Sequence, residues 1–304
     1  MNIKSLITTS VVALISASAV QAADVVIPHE STPVITAPTF SWTGFYIGGQ
    51  VGNFSSTTKI TVPGTDTRIF TKDETPKPSG FMGGIYAGSN IDLGSGLILG
   101  VETDAVWAGR EETKKAAGVD ISSARATELN TALKLDPNAD KTGEDHKGEK
   151  PFKEGATAGA FRGNDNVVES YAYKEKWSGA TRVRIGFAAA DRVMPYVAGG
   201  IAYAQVQGVQ SVSGTGQRAK DKGDGTIEAG KHVSVALPTG TLFDETKTMV
   251  GFTIGGGIDF AMTDNVLLRA EYRYSDFGKK KFANNTQEFS YKTNDFRVGV
   301  AYKF

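Results

Sequence analysis

The side chains best suited to chemistry in this sequence are histidines, together with the tyrosines and lysines near them. The candidate groups are His146 with Lys147, His232 with Lys231, and Tyr171 with Tyr173. A histidine or tyrosine can be the axial ligand of an iron porphyrin, and lysines can pair with its propionates. The sequence therefore offers candidate ligands for haem. Simple solvation of the same side chains in charged loops is the alternative interpretation.

Catalysis is not expected from these residues. The remaining histidine, His29, lies in a Pro-rich stretch, and none of the three falls on a predicted strand. General acid–base or nucleophilic catalysis needs such a side chain held rigidly by its scaffold. Cysteine is absent, which excludes disulfides, thiolate metal sites and cysteine nucleophiles. The sequence therefore predicts no enzyme, no metal site and no tightly bound cofactor.

The N-terminus has the features of an export signal. Lys4 precedes an apolar run over 6–14, and small residues lead up to Ala22. This pattern predicts a secretory signal peptide over 1–22 that is cleaved after Ala22. The next stretch, 23–41, is rich in proline and is predicted to be an extended linker. The whole chain has 33 basic and 33 acidic residues, so no basic field indicates nucleic-acid binding.

The rest of the chain, 42–304, contains segments in which apolar and polar residues alternate. The last of them places Phe296, Val298 and Val300 on one side and Asp295 and Arg297 on the other. Alternation with a period of two is the signature of a strand with two different faces. The eight predicted strands are 42–54, 81–91, 97–107, 173–189, 193–204, 248–260, 266–274 and 294–304.

The connections between these strands alternate in length. Short turns follow the second, fourth and sixth strands, whereas long polar loops cover about 55–79, 109–170, 205–245 and 275–288. Short turns at one rim and long loops at the other are typical of outer-membrane barrels. We therefore predict an all-β fold, an eight-stranded antiparallel transmembrane up-and-down β-barrel with short periplasmic turns and long extracellular loops. Aromatic residues near the strand ends are expected at the membrane interface: Trp42, Trp107, Trp177, Tyr272, Tyr302 and Phe304.

Charged residues of both signs are expected to face the interior of this barrel. A soluble barrel of the lipocalin type needs an apolar interior, which these charges do not fit. The predicted lumen charges are Glu102, Asp104, Arg182, Arg184, Asp259, Arg269, Glu271, Arg273, Asp295 and Arg297. Eight strands leave an interior barely wide enough for side chains. This size favours a structural plug over an ion pathway.

Four stretches resemble the small outer-membrane β-barrel family of alphaproteobacteria. They are the Trp-Thr-Gly-Phe-Tyr-Ile-Gly-Gly opening at 42–49, the segment 177–186, the segment 195–203, and the Val-Gly-Val-Ala-Tyr-Lys-Phe ending at 298–304. That family includes major surface antigens, porin-like proteins and haemin-binding proteins. The resemblance covers nearly all predicted strands, whereas the long loops, which would carry recognition, differ among members.

The resemblance implies a location and a set of partners. We expect a surface protein in the outer membrane of a Gram-negative bacterium, surrounded by outer-membrane lipid, that binds haemin through its extracellular loops. The alternative is a passive porin-like or structural surface antigen or adhesin that does not bind haem and meets host-surface molecules. Tyr302 and the terminal Phe304 resemble the signal by which the barrel assembly machinery recognises its substrates.

Overall fold

The computed structural model describes residues 40–68, 75–108, 111–142, 148–283 and 287–304. The predicted signal peptide and most of the predicted linker lie outside these residues. Thirteen strands and one helix are present in the described part. In chain order they are β1 Gly44–Thr61, β2 Gly80–Asp92, β3 Leu97–Trp107, β4 Glu111–Lys115, β5 Val119–Asp120, α1 Ser123–Ala132, β6 Lys141–Thr142, β7 Gly148–Glu149, β8 Asn166–Phe187, β9 Val193–Asp221, β10 Ile227–Ala236, β11 Gly240–Ala261, β12 Val266–Phe282 and β13 Gln287–Lys303.

Eight long strands pair in a closed antiparallel ring. The order around the ring is β1, β2, β3, β8, β9, β11, β12 and β13, and β13 pairs again with β1. Closure leaves no open edge, which is the condition for a sheet to cross lipid. The predicted eight-stranded antiparallel barrel is therefore confirmed. The single described helix, α1, is neither long nor apolar enough to cross a bilayer.

The outer face of the ring is apolar. On β13, Phe296 is 57% exposed, whereas its neighbours Asp295 and Arg297 are 4% and 3% exposed. The same alternation continues around the barrel. Other large apolar side chains that point outward include Ile47, Val51, Phe81, Ile85, Leu97, Leu99, Val101, Val183, Ile185, Phe187, Val197, Ile201, Val250, Phe252, Ile254, Ile258, Phe260, Val298 and Val300. The apolar side of each strand therefore faces lipid.

The apolar band has the height of a membrane. On β8 it runs from Phe187, beside a short turn, up to Trp177. At about 3.3 Å per residue and a tilt of roughly 40°, this stretch rises about 25 Å, which is the usual thickness of the apolar band of such barrels. The parts of the strands at this level are the membrane-spanning segments. Trp177 marks the outer edge of the band on β8.

Several strands continue far beyond this edge. β8 begins at Asn166, β9 runs on to Asp221, and β11 begins at Gly240. Most of the predicted loops 205–245 and 275–288, and the first part of the predicted loop 55–79 up to Thr61, is therefore strand. The physical reason is that water replaces lipid outside the barrel at this height, so the apolar side chains move to the inner face. Phe289 and Tyr291 of β13 accordingly point inward and are fully buried.

The stretch 109–170 also differs from a plain loop. β4 and β5 pair with β8, and α1 begins after Ser122, whose side chain accepts a hydrogen bond from the Arg125 backbone NH. Residues 111–142 and 148–165, together with the hairpin of β9 and β10, form a structure that we call the extracellular platform. Its apolar side chains pack around Leu129 and Phe161.

Candidate functional site

An ionic layer fills the barrel at the level of the membrane. It consists of the ten predicted lumen charges, five arginines and five carboxylates, all of which are buried. Four acid–arginine pairs lie directly opposite each other on neighbouring strands: Glu102 and Arg182, Asp259 and Arg269, Glu271 and Arg297, and Arg273 and Asp295. Because opposite charges face each other across the strand pairs, the register itself neutralises the lumen.

Glu102 is the centre of this layer. Its Oε1 lies 2.5 Å from Arg182 Nη2, and its Oε2 lies 3.1 Å from Arg184 Nη1. Arg269 Nη1 also pairs with Oε2, and the Tyr46 hydroxyl donates to the same oxygen at 2.8 Å. A single carboxylate on β3 thus holds three guanidinium groups from β8 and β12.

Further bonds join Glu102 to the rest of the layer. Arg182 Nη2 also lies 2.8 Å from Glu271 Oε2, and Arg184 Nη2 lies 2.6 Å from Asp259 Oδ2. Arg269 binds Asp259 with two nitrogens, Nε at 2.7 Å and Nη2 at 2.9 Å. Such fork-like pairing is the strongest form of an arginine–carboxylate contact.

The other half of the layer is built around Asp104. Arg273 Nη2 lies 2.9 Å from Asp104 Oδ2 and 2.8 Å from Glu271 Oε1. Arg297 Nη1 lies 3.1 Å from Asp104 Oδ1, and its Nη2 lies 2.7 Å from Asp295 Oδ2. The ten charges therefore form one connected network from β3 to β13.

Tyrosines that the sequence interpretation missed complete the ionic layer. The Tyr196 hydroxyl donates to Glu271 at 2.7 Å, and the Tyr196 ring lies 3.8 Å from the guanidinium carbon of Arg184. Gly88 makes room for Tyr46, because a Cβ at this position would lie 2.4 Å from the Tyr46 hydroxyl oxygen. Guanidinium groups stacked on aromatic faces gain cation–π energy when they are shielded from water.

An aromatic layer closes the barrel above the ionic one. Tyr173 and Phe289 stack with their ring centroids 4.4 Å apart, and Phe282 meets Phe289 edge-on at 5.7 Å. Phe277 stacks on Tyr291 at 5.4 Å. All five rings are at most 3% exposed. This layer lies in the part of the barrel that extends beyond the membrane.

A third layer closes the periplasmic end. Trp42 is 2% exposed and packs with Ile98, Met194 and Leu267 inside the ring. Phe40 meets the Trp42 ring edge-on at 4.8 Å. Trp42 was expected at the membrane interface, and this prediction is wrong. The residue precedes β1, so the chain is free there to turn inward and cover the end of the lumen.

The extracellular platform contains its own buried charge cluster. Arg218 of β9 is 1% exposed and donates to both oxygens of Asp165, at 2.7 and 2.9 Å. Its Nε lies 3.4 Å from Asp140 Oδ2, and its Nη2 donates to the Ala160 carbonyl at 3.0 Å. Burial disfavours the charged form, but the two carboxylates outweigh burial and raise the pKa of Arg218 above its ordinary value.

A second contact set joins α1 to the chain around it. The Asn130 side-chain amide donates to the Phe161 carbonyl at 2.9 Å and accepts from the Phe161 NH at 2.8 Å. Arg125 Nη2 lies 2.6 Å from Glu169 Oε1 on β8. Burial disfavours the Glu169 carboxylate, yet hydrogen bonds from Tyr171 and Arg125 outweigh it and hold the pKa of Glu169 below its usual value. The platform is thereby fixed to the extended barrel.

Comparison with known proteins assigns this architecture to a family. A family model described as a porin subfamily matches residues 81–300. The 31 kDa outer-membrane immunogenic protein of Brucella melitensis is 30% identical over 315 residues, covering 99% of this chain and 100% of that protein. The chain belongs to this family of small alphaproteobacterial outer-membrane β-barrels. It is accordingly an outer-membrane surface protein of a Gram-negative bacterium.

Other relatives and structures are more distant. The 25 kDa outer-membrane immunogenic protein of Brucella melitensis is 26% identical over 307 residues, covering 100% of this chain and 99% of that protein. The outer membrane protein OprG from Pseudomonas aeruginosa gives a TM-score of 0.39 at 11% identity, covering 86% of this chain and 96% of that one. The Brucella relatives are named as immunogenic outer-membrane proteins and not as enzymes.

Two of the predicted haem ligands, Tyr171 and Tyr173, lie inside the barrel. Tyr171 is 7% exposed and Tyr173 is fully buried. Burial and the hydrogen bond to Glu169 raise the pKa of Tyr171 well above its ordinary value, so the phenolate that binds ferric iron is disfavoured. Both residues belong to the inner face of β8, where they serve packing.

The other predicted ligands lie at the surface or outside the described residues. His232 and Lys231 are exposed on β10 at the edge of the platform. His232 therefore lies on a strand, contrary to the prediction that no histidine does, because the hairpin of β9 and β10 extends into a region expected to be loop. His146 and Lys147 lie outside the described residues. The described candidates are thus not brought together into one site.

Tyr302 and Phe304, the predicted assembly signal, lie on the outer face at the periplasmic rim. They are 50% and 66% exposed, and their rings meet edge-on at 5.1 Å. The Phe304 NH donates to the Phe45 carbonyl at 2.9 Å, which secures the chain end against β1. Recognition of these rings by the assembly machinery stays a prediction.

Proposed function

We propose that this protein is a non-conducting surface barrel whose activity resides in the extracellular platform. The observation that supports this most strongly is the filling of the lumen by three successive layers, periplasmic, ionic and aromatic. An eight-stranded barrel has little interior to spare, and here bulky arginine and aromatic side chains occupy it. The barrel then serves as an anchor, and the platform makes the contacts with molecules outside the cell.

Planar-bilayer recording tests the closed lumen. We expect no steady conductance from the purified protein, because the ionic layer leaves no continuous water path. A Phe289→Ala variant, which removes a ring from the aromatic layer alone, should also remain silent because Glu102 and its partners still close the barrel below. Stable ohmic channels from the unmodified protein would contradict the proposal.

Haemin capture is the second candidate function, and one observation favours it. His232 is exposed on β10 beside Lys231, and Lys220 and Lys231 share the Glu228 carboxylate. One accessible imidazole next to ammonium groups suits an iron porphyrin with two propionates.

A haemin titration tests this second candidate. We expect a saturable Soret shift, and we expect His232→Ala to weaken the apparent affinity about tenfold, which corresponds to roughly 1.4 kcal/mol. Tyr171→Phe is the matched control, since that hydroxyl is buried and should not contribute. A spectrum without saturation, or equal loss in both variants, would rule out His232 as the ligand.

A further inference from the structure

A groove crosses the lipid-facing surface from β1 over β2, β3 and β8 to β9, and reaches the outer edge of the apolar band at Trp177. It has a volume of about 210 Å³. Its lining includes Ile47, Ile85, Ala87, Ala105, Trp177 and Tyr203. The small side chains of Ala87 and Ala105 form the floor, and the rings of Trp177 and Tyr203, 6.4 Å apart, form one wall. The groove is therefore a recess between large apolar side chains of the lipid-facing surface.

The hydroxyl groups of Tyr203 and of its neighbour Thr181 are hydrogen-bonded within the protein. The Tyr203 hydroxyl is hydrogen-bonded to the Thr181 hydroxyl, and Thr181 Oγ1 lies 3.2 Å from Thr103 Oγ1. Hydroxyl groups that are paired in this way do not call for a polar ligand. What remains available to an occupant is apolar surface, and the surrounding medium at this level is hydrocarbon.

A positively charged residue, Lys176, directly precedes the groove residue Trp177 on β8. The register of β8 and β9 shifts between Glu175 and Trp177, so Lys176 is the extra residue of a β-bulge. Bulges re-aim a side chain out of the regular alternation. Lys176 directly precedes Trp177 on β8, at the level where the apolar band ends and lipid headgroups begin, and its ammonium extends over β9 toward β11.

Lys176 has no charged partner within the described residues. Its Nζ lies 3.2 Å from the neutral Thr246 hydroxyl. Lys174, two residues further out on β8, faces Glu111 across the β4–β8 pair without forming an ion pair with it. Other lysines in the extended barrel, such as Lys279 and Lys292, are paired with carboxylates. Lys176 is therefore available to an anion.

We propose that the groove and Lys176 together bind one phosphorylated lipid of the outer leaflet. An acyl chain would lie between the small floor and the Trp177–Tyr203 wall, and the headgroup phosphate would pair with Lys176, with Lys174 contributing at longer range. Apolar surface, aromatic ring and ammonium follow one another in the order of chain, interface and phosphate in a lipid. The lysine at the outer end of the Trp177–Tyr203 wall favours a lipid over a second copy of the barrel.

Native mass spectrometry of the full chain in detergent, titrated with diphosphorylated lipid A, tests this site. We expect one lipid to be retained in a saturable manner. Lys174→Ala/Lys176→Ala should reduce retention at least tenfold, and Ala105→Trp should do the same by filling the groove while leaving both ammonium groups in place. Lys280→Ala is the control, since Lys280 is exposed on β12 away from the groove, and it should bind like the unmodified protein.

Three results would overturn the proposal. Equal retention of a dephosphorylated lipid would show that the lysines do not contribute to binding. Unchanged binding by Ala105→Trp would show that the groove does not contribute. Complete displacement by millimolar inorganic phosphate would reduce the site to a simple anion contact. Heat-dependent gel migration of each variant checks that it is folded. Ala105→Leu replaces Ala105→Trp if the larger ring prevents folding.

Discussion

Replacing Glu102 by glutamine is expected to lower the free energy of unfolding of the barrel by about 3–5 kcal/mol. The carboxylate meets Arg182, Arg184 and Arg269 inside a closed lumen. Glutamine has nearly the same shape, so packing is kept and the charge alone is lost. The three guanidinium groups then lose the negative charge that balanced them. They remain buried, and the free-energy cost of burying them is no longer compensated.

Urea titration of the protein in detergent micelles, followed by heat-dependent gel migration, measures this loss. The matched control is Arg192→Ala, which removes the pair of Arg192 with Asp264 at the periplasmic rim. The two side chains of that pair are 42% and 67% exposed, and surface pairs contribute at most about 1 kcal/mol. Similar midpoints for the two variants would mean that the lumen charges are solvated rather than buried.

The double variant Glu102→Gln/Arg182→Gln separates charge balance from packing. It removes one charge of each sign, so the lumen is neutral again. We expect it to be less destabilised than the sum of the two single variants, because residues of one network do not add independently. Strict additivity would argue against a connected network.

The membrane-spanning strands could be predicted from the sequence because lipid imposes a simple rule on them. Every second residue on β13 from Phe296 onward is apolar and faces lipid, while Asp295 and Arg297 face the lumen. The same rule identified the ten lumen charges. Their pairing partners could not be predicted, since Arg182 and Glu271 are 89 residues apart in the chain and meet only when the ring closes.

The extensions of the strands were missed because the alternation changes phase. Within the band of β13 the apolar residues have even numbers, such as Phe296 and Val298, whereas outside it they have odd numbers, Phe289 and Tyr291. The strand itself does not break, and only the medium on its outer face changes from hydrocarbon to water. A reversal of phase beside a continuing period of two is therefore a signal for a barrel that extends beyond the membrane.

The same effect explains the position of the predicted haem ligands on β8. Tyr171, Tyr173 and Glu175 share the inner face of the strand, and Lys174 lies between them on the outer face. Their spacing is that of a strand, and this pattern could have indicated burial. Tyr171 and Tyr173 come at the end of the predicted polar loop 109–170, and this position alone predicts accessible side chains.

Replacing Arg218 by leucine is expected to release the extracellular platform from the barrel while the barrel stays folded. Arg218 is buried between Asp165 and Asp140 and also binds the Ala160 carbonyl. Leucine would leave the buried Asp165 carboxylate without its guanidinium partner and Asp140 with only the more distant Arg162, whose Nη2 lies 3.8 Å away, at a cost of about 3–5 kcal/mol. This change weakens the contact of Asp140, Asp165 and Ala160 with the outer end of β9, far from the membrane-spanning ring.

Limited trypsin digestion of the folded protein measures this release. We expect rapid cleavage between 111 and 165 in Arg218→Leu, with the urea midpoint of the barrel nearly unchanged. Glu128→Ala is the control, because Glu128 is 66% exposed and its pair with Arg125 is at the surface, so its effect should stay within about 1 kcal/mol. If Arg218→Leu instead lowers the urea midpoint as far as Glu102→Gln, the platform and the ring unfold as one unit. Separate responses would mean that the platform can change, or be exchanged, without altering the barrel that carries it.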